Sequence, residues 1–127
     1  MTIATLLRGG LIADAGVAAL VGTRVYPGLL PQKPTYEAIT YERVSNTGQD
    51  GSSNRKQSRW QINCWGATYA EAHVLANAVK AALEEWHDVD HTPGIERARV
   101  VNEIDDYDDN VEVYRVIVDV MLHTIGD

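Results

Sequence analysis

Few side chains in this 127-residue sequence stand where chemistry would need them. His87, Asp88, Asp90 and His91 place four potential metal ligands within five residues, and on a helix the two histidines would share a face, as a zinc site requires. The segment follows Trp86 directly and ends at Pro93-Gly94, which predicts an irregular, solvated loop instead. Asp105, Asp106, Asp108 and Asp109 have the composition of a calcium loop, yet they lack its sixth-position glycine and its distal bidentate glutamate. They read better as a charged hairpin turn that resists aggregation. Asp109 and Glu112 could supply acids to a magnesium-dependent nuclease, but position 114 is tyrosine and the region holds no lysine. Ser52 and Ser53 have no histidine in register, and no phosphate loop, dinucleotide fingerprint or nucleophile elbow is present. Arg55, Lys56 and Arg59 beside Gly51-Ser52-Ser53 could touch phosphate, but three charges without interleaved aromatics fit a solvated hairpin tip better. No catalytic, cofactor-binding or metal residue is assigned, and the chain is not expected to be an enzyme.

The one cysteine, Cys64, lies in an apolar alternating segment and reads as a small buried hydrophobe. No apolar run approaches the length of a membrane span and no signal peptide is recognisable, so a reducing compartment is expected. The formal net charge of −7 argues against general nucleic-acid affinity. Its distribution is uneven: residues 1–83 carry eight Lys/Arg and five Asp/Glu, residues 84–127 three and thirteen. Such asymmetry suits surfaces of opposite sign that meet head to tail.

The elements that must position these groups follow from the residue pattern. Residues 2–21 read as helical, with Thr2 able to cap the start and Asp14 a possible second cap, so two short helices are as consistent as one. Strands are predicted over about 24–26, 36–45, 57–66, 95–105 and 111–124. Between the first two lies a stretch with three prolines (Pro27, Pro31, Pro34), an exposed connection. Residues 45–57 contain no apolar side chain, which predicts a mobile loop over 46–56. Thr68-Tyr69-Ala70-Glu71 is a capping box opening a helix over 69–86, with Tyr69, Ala72, Ala76, Val79, Leu83 and Trp86 at helical spacing. The result is a single α+β domain: an antiparallel or mixed sheet of about four to five strands, with the N-terminal helix and one long central helix on one face. The last strand is apolar on both sides, which calls for a second cover, and another subunit would provide one. Arg59, Gln61, Asn63 and Trp65 point away from the helices, which makes Trp65 the expected exposed aromatic at a subunit contact.

Three stretches coincide in order: AALVGTRVYPGLLPQ (18–32), YEAITYERVS (36–45) and RWQINCWGATYAEAHVLANAVKAAL (59–83). This layout resembles the small tail completion proteins of long-tailed bacteriophages, the tail-to-head joining or tail terminator family. The resemblance implies a homo-oligomeric ring, a hexamer, at the head-proximal end of the tail tube. The implied partners are copies of itself, the major tail tube protein and the head connector, with genome DNA passing through without specific binding. It implies a virion protein assembled in the host cytoplasm, with no cofactor and no membrane; prophages and gene transfer agents carry relatives. Interface residues expected on this reading are Trp65, Arg59, Arg55, Lys56, Asn63, Asp105, Asp106, Asp108 and Asp109. A head-side stopper ring and a small nucleic-acid-binding module are the alternatives.

Overall fold

In the computed structural model, residues 2–48, 51, 54–110 and 112–127 are described. Thr2 caps α1 (Ile3–Ala13), its hydroxyl accepting from the Thr5 N–H at 3.1 Å. Asp14 then leaves the helix and caps α2 (Ala15–Val21), accepting from the Val17 N–H at 3.0 Å, and the two helices are bent by 85°. Gly22 closes α2 at a positive φ of 59° that side chains resist.

Five strands follow: β1 (Val25–Pro27), β2 (Ala38–Gly48), β3 (Arg55–Gly66), β4 (Gly94–Asp108) and β5 (Val113–Ile125), with α3 (Tyr69–Leu83) between β3 and β4. They form one mixed sheet in the order β1-β2-β3-β5-β4, parallel only at β1–β2. The central β3–β5 ladder runs unbroken from Arg55↔Ile125 to Gly66↔Tyr114. Bulges interrupt the outer ladders, between Arg43 and Ser45 in β2 and at two places in β4.

The α3 cap forms from the predicted residues. Thr68 Oγ1 accepts from the Glu71 N–H at 3.2 Å, and Glu71 reaches back to the Ala67 N–H at 3.2 Å. The helix ends at Leu83, short of the expected Trp86, because Glu84 is extended and Glu85 turns at a φ of 62°. Residues 84–88 instead lie along β4. The Glu85 N–H donates to Ala98 O at 2.9 Å, the Ala98 N–H to Trp86 O at 2.8 Å, and Asp88 and Ile95 exchange two bonds. Trp86 folds back onto α1 so closely that a methyl at Gly10 would lie 2.4 Å from its ring.

The two ends of the expected loop over 46–56, residues 46–48 and 55–56, are strand. Asn46, Thr47 and Gly48 pair with Ser58, Gln57 and Lys56, so the polar composition there hides a ladder, and the Asn46 side chain also donates to Asp127 at 3.4 Å. Residues 49, 50, 52 and 53, and Val111 at the expected start of the last strand, lie outside the described residues. β3 and β4 exceed their predicted bounds, β4 by three residues at its end, whereas β1, β2 and β5 begin one to two residues later than predicted.

All three helices cover one face of the sheet. Leu6, Leu7, Leu11, Val17, Val21, Leu75, Ala76, Val79 and Leu83 pack on Ile39, Tyr41, Trp60, Ile62, Cys64, Val116, Val118, Val120 and Leu122. Burial of each aliphatic side chain in that cluster contributes roughly 1.5–3 kcal/mol. No single described helix is long and apolar enough to cross a membrane.

Candidate interaction site

The face opposite the helices carries Arg55, Arg59, Asn63, Trp65, Asp106 and Asp108 of the predicted interface residues, whereas Lys56 and Asp105 alternate onto the helix side. Residues directly opposite in neighbouring strands share a face, so Trp65, Arg115 and Asp106 form one row, Asn63, Ile117 and Ile104 the next, then Gln61, Asp119 and Asn102. Arg59, Met121 and Arg99 follow. Trp65 does point this way, but it is not an exposed aromatic: only 9% of it is accessible. The Arg115 guanidinium lies over its ring, 5.1 Å from the centroid, and its Nε1–H donates to Thr40 Oγ1 at 3.0 Å. A cavity of about 350 Å³ beside it is walled by Leu29, Leu30, Asn63, Asp108 and Arg115, so the proline-rich connection folds over this face. Asn63 is likewise buried, at 2% exposure. Strand alternation orients both residues correctly; what covers them comes from about 35 residues earlier and 50 later in the chain.

The predicted charges separate to opposite ends of the sheet. Arg55, Lys56 and Arg59 stand at the end where β5 finishes, and Asp105, Asp106 and Asp108 stand beside the β4–β5 turn, followed by Asp109 in the turn itself. The basic end is engaged within the chain: Arg59 Nη2 donates to Asp119 at 2.6 Å, Arg55 Nε to Glu96 at 3.0 Å and Arg43 to Asp127 at 3.0 Å. Arginines held by carboxylates are poorly placed to take phosphate. At the acidic end Arg115 donates to Asp106, and that hydrogen bond holds the Asp106 carboxyl below the usual carboxylate range. Four buried polar atoms of the open face, Arg59 Nε, Asn63 Oδ1, Arg115 Nε and Asp119 Oδ1, meet no hydrogen-bond partner among the described residues. Buried polar atoms are rarely left so.

A model of the tail completion protein gp17 family matches residues 5–124. The chain belongs to that family. A chain in the virion of a native gene transfer agent particle has the same fold, with a TM-score of 0.76 at 20% identity over 94% of this chain and 92% of that one. No curated protein matches. Membership makes this chain a structural tail protein.

This tail completion protein also has a surface that its sequence conceals. Tyr69, Tyr107 and Tyr114 cluster at the acidic end, with ring centroids 5.9 Å (Tyr69–Tyr114) and 4.8 Å (Tyr107–Tyr114) apart. They line a recess of about 230 Å³ with Asp105, Asp106 and Arg115. Tyr69 was expected in the core stripe of α3. It is half exposed, and its hydroxyl donates to Asp105 at 2.8 Å, a bond that pushes the phenol pKa up. The available signal was Tyr107 and Tyr114 flanking the acidic turn. By contrast His91, once a metal candidate, has its Nδ1 3.0 Å from Asp88 Oδ1, and no metal-binding cluster is found among the described residues.

Proposed function

We propose that this tail completion protein forms a homohexameric ring on the head-proximal end of the tail tube, stops tube growth and presents a surface to the head connector. Assembly takes place in the host cytoplasm, and the partners are further copies of the chain, the major tail tube protein and the connector. The observation that carries this reading beyond family membership is the separation of opposite charges to the two ends of one sheet. Two unlike patches on one molecule favour a heterologous contact, the kind that generates rings. On this reading Asp105, Asp106, Asp108 and Asp109 face one neighbour and Arg55, Lys56 and Arg59 the other. Trp65 and Asn63 support that surface from beneath, and the tyrosine recess belongs to the contact. The excess of negative charge would let DNA pass through the lumen without adhering.

The test is addition of purified protein to separated tails and filled heads from a phage lacking it. Binding to tube ends, with uniform tail lengths and restored joining, is the expected result. Binding to capsid portals rather than tubes would assign the chain to the head side, and binding to neither would end the proposal.

A further inference from the structure

The sheet leaves two strand edges partly free: β4 on one side and, beyond the short β1, β2 on the other. In β4, residues 84–88 lie against the first half: Ile95 and Ala98 bond to them through the backbone, and the Val100 N–H donates to Glu84 at 3.4 Å. Beyond a bulge at Val101, residues 101–108 have no backbone partner on the outer side among the described residues. At the other edge, β1 pairs with β2 only as far as Pro27↔Tyr41, and residues 42–48 are exposed and, among the described residues, unpaired outward. A bulge places Val44 there at 50% exposure, as Val101 stands at 44% and Ile104 at 48%.

These half-edges lie on opposite sides and at opposite ends of the sheet. Strand β4 runs antiparallel to β5, β5 to β3, and β3 to β2, so β2 and β4 run in opposite directions. Two copies placed side by side in the same sense would therefore bring β4 and β2 together antiparallel. The charges agree with that pairing. Residues 101–108 hold Glu103, Asp105, Asp106 and Asp108 and no base, whereas residues 42–48 hold only Glu42 and Arg43, with Lys56 one strand further in opposite Gly48. Two β4 edges meeting about a two-fold axis would set eight carboxylates against one another, and like charges in facing strands are unfavourable.

We infer that the free half of β4, residues 101–108, is a docking edge for a second copy of this chain, which inserts its own β2 residues 42–48 as the next strand. The sheet then continues from one copy to the next through backbone hydrogen bonds, with an acidic edge against one that holds Arg43 and is close to neutral. Residues 84–88 limit the contact to half of β4 and so fix its offset. The inference rests on the proposed self-assembly and names its surface.

Charge exchange tests it, with mass in solution as the readout. One chain carries Asp105→Lys and Asp108→Lys, the other Arg43→Glu and Lys56→Glu, and circular dichroism confirms that both fold. The chain with Arg43→Glu and Lys56→Glu alone should need about tenfold or more higher concentration to associate than the parent chain, since its residues 42–48 then set two carboxylates against the acidic β4 edge. An equimolar mixture should associate again, because those carboxylates then meet the lysines introduced in the other chain. In a separate chain with Ile104→Cys and Val44→Cys, a short bismaleimide should give a covalent ladder, while Ile104→Cys alone gives none; buried Cys64 stays silent. A parent chain that is monomeric at every concentration, a mixture that fails to associate, or dimers through Ile104→Cys alone would each overturn the inference. If charge-exchanged chains that cannot self-associate still joined heads to tails, only this inference would fail. If copies joined as described but never capped tubes, only the proposed function would fail.

Discussion

Trp65→Ala separates a fold-supporting tryptophan from a contact residue. The indole is 9% exposed, roofed by Arg115 and hydrogen-bonded to Thr40. Buried Trp or Phe truncations cost about 3–5 kcal/mol, and the residual exposure at this shallow site places the expectation at about 3–4 kcal/mol. An unfolding entropy of about 2.1 cal/mol/K per residue gives about 0.27 kcal/mol/K for a chain of this length, so Tm should fall by about 11–15 °C. Trp65→Phe keeps most of the apolar contact but leaves Thr40 without its donor, which should cost about 1 kcal/mol, or about 4 °C. Calorimetry at matched concentration reads both. A drop of less than about 4 °C for the alanine variant, accompanied by lost association, would refute the buried placement and restore Trp65 as a surface contact.

Other consequences concern packing, thiol access and pH. In Gly66→Ala the new methyl would sit 2.6 Å from the Ala72 backbone nitrogen, which cannot rotate away, so denaturant melts should show a loss of at least the ~1–3 kcal/mol typical of overpacking. Cys64 is fully buried and its thiol pKa is pushed well above the usual range by that burial, so a thiol reagent should label it only as fast as the chain opens. Labelling at the rate of an exposed thiol under native conditions would contradict this. Burial first, then Arg97 and Arg99, push the His123 pKa below 6.5, so the folded chain binds that proton less readily than the unfolded one. Its contribution to stability is complete above pH 6.5 and is lost as pH falls below it. His123→Gln should flatten that part of a Tm–pH profile, and an unchanged slope would count against the assignment.

Local signals were readable wherever neighbours in sequence decide the outcome. Thr2, Asp14 and Thr68 each cap a helix because their partners lie three residues away. The helix-facing sides of β3 and β5 follow from period-two alternation. What escaped depends on distant segments. Trp86 seemed to continue the α3 stripe, but residues 84–88 gain more by pairing with β4, whose edge is invisible from position 84. Residues 46–48 and 55–57 lack apolar side chains, yet extend a hairpin whose register is set by the apolar pairs further in, Tyr41↔Ile62 among them. The tyrosine recess joins Tyr69 to Tyr107 and Tyr114 through tertiary geometry alone. Charge asymmetry was visible as a total per half, and the sheet order turns it into two ends.

The uninterrupted β3–β5 ladder has a mechanical consequence. Tension applied along those strands would strain every bond from Arg55↔Ile125 to Gly66↔Tyr114 together, whereas tension across them would part the bonds one after another. The bulges lie only in the flanking ladders, so stretching this molecule should shed its outer strands before its centre yields.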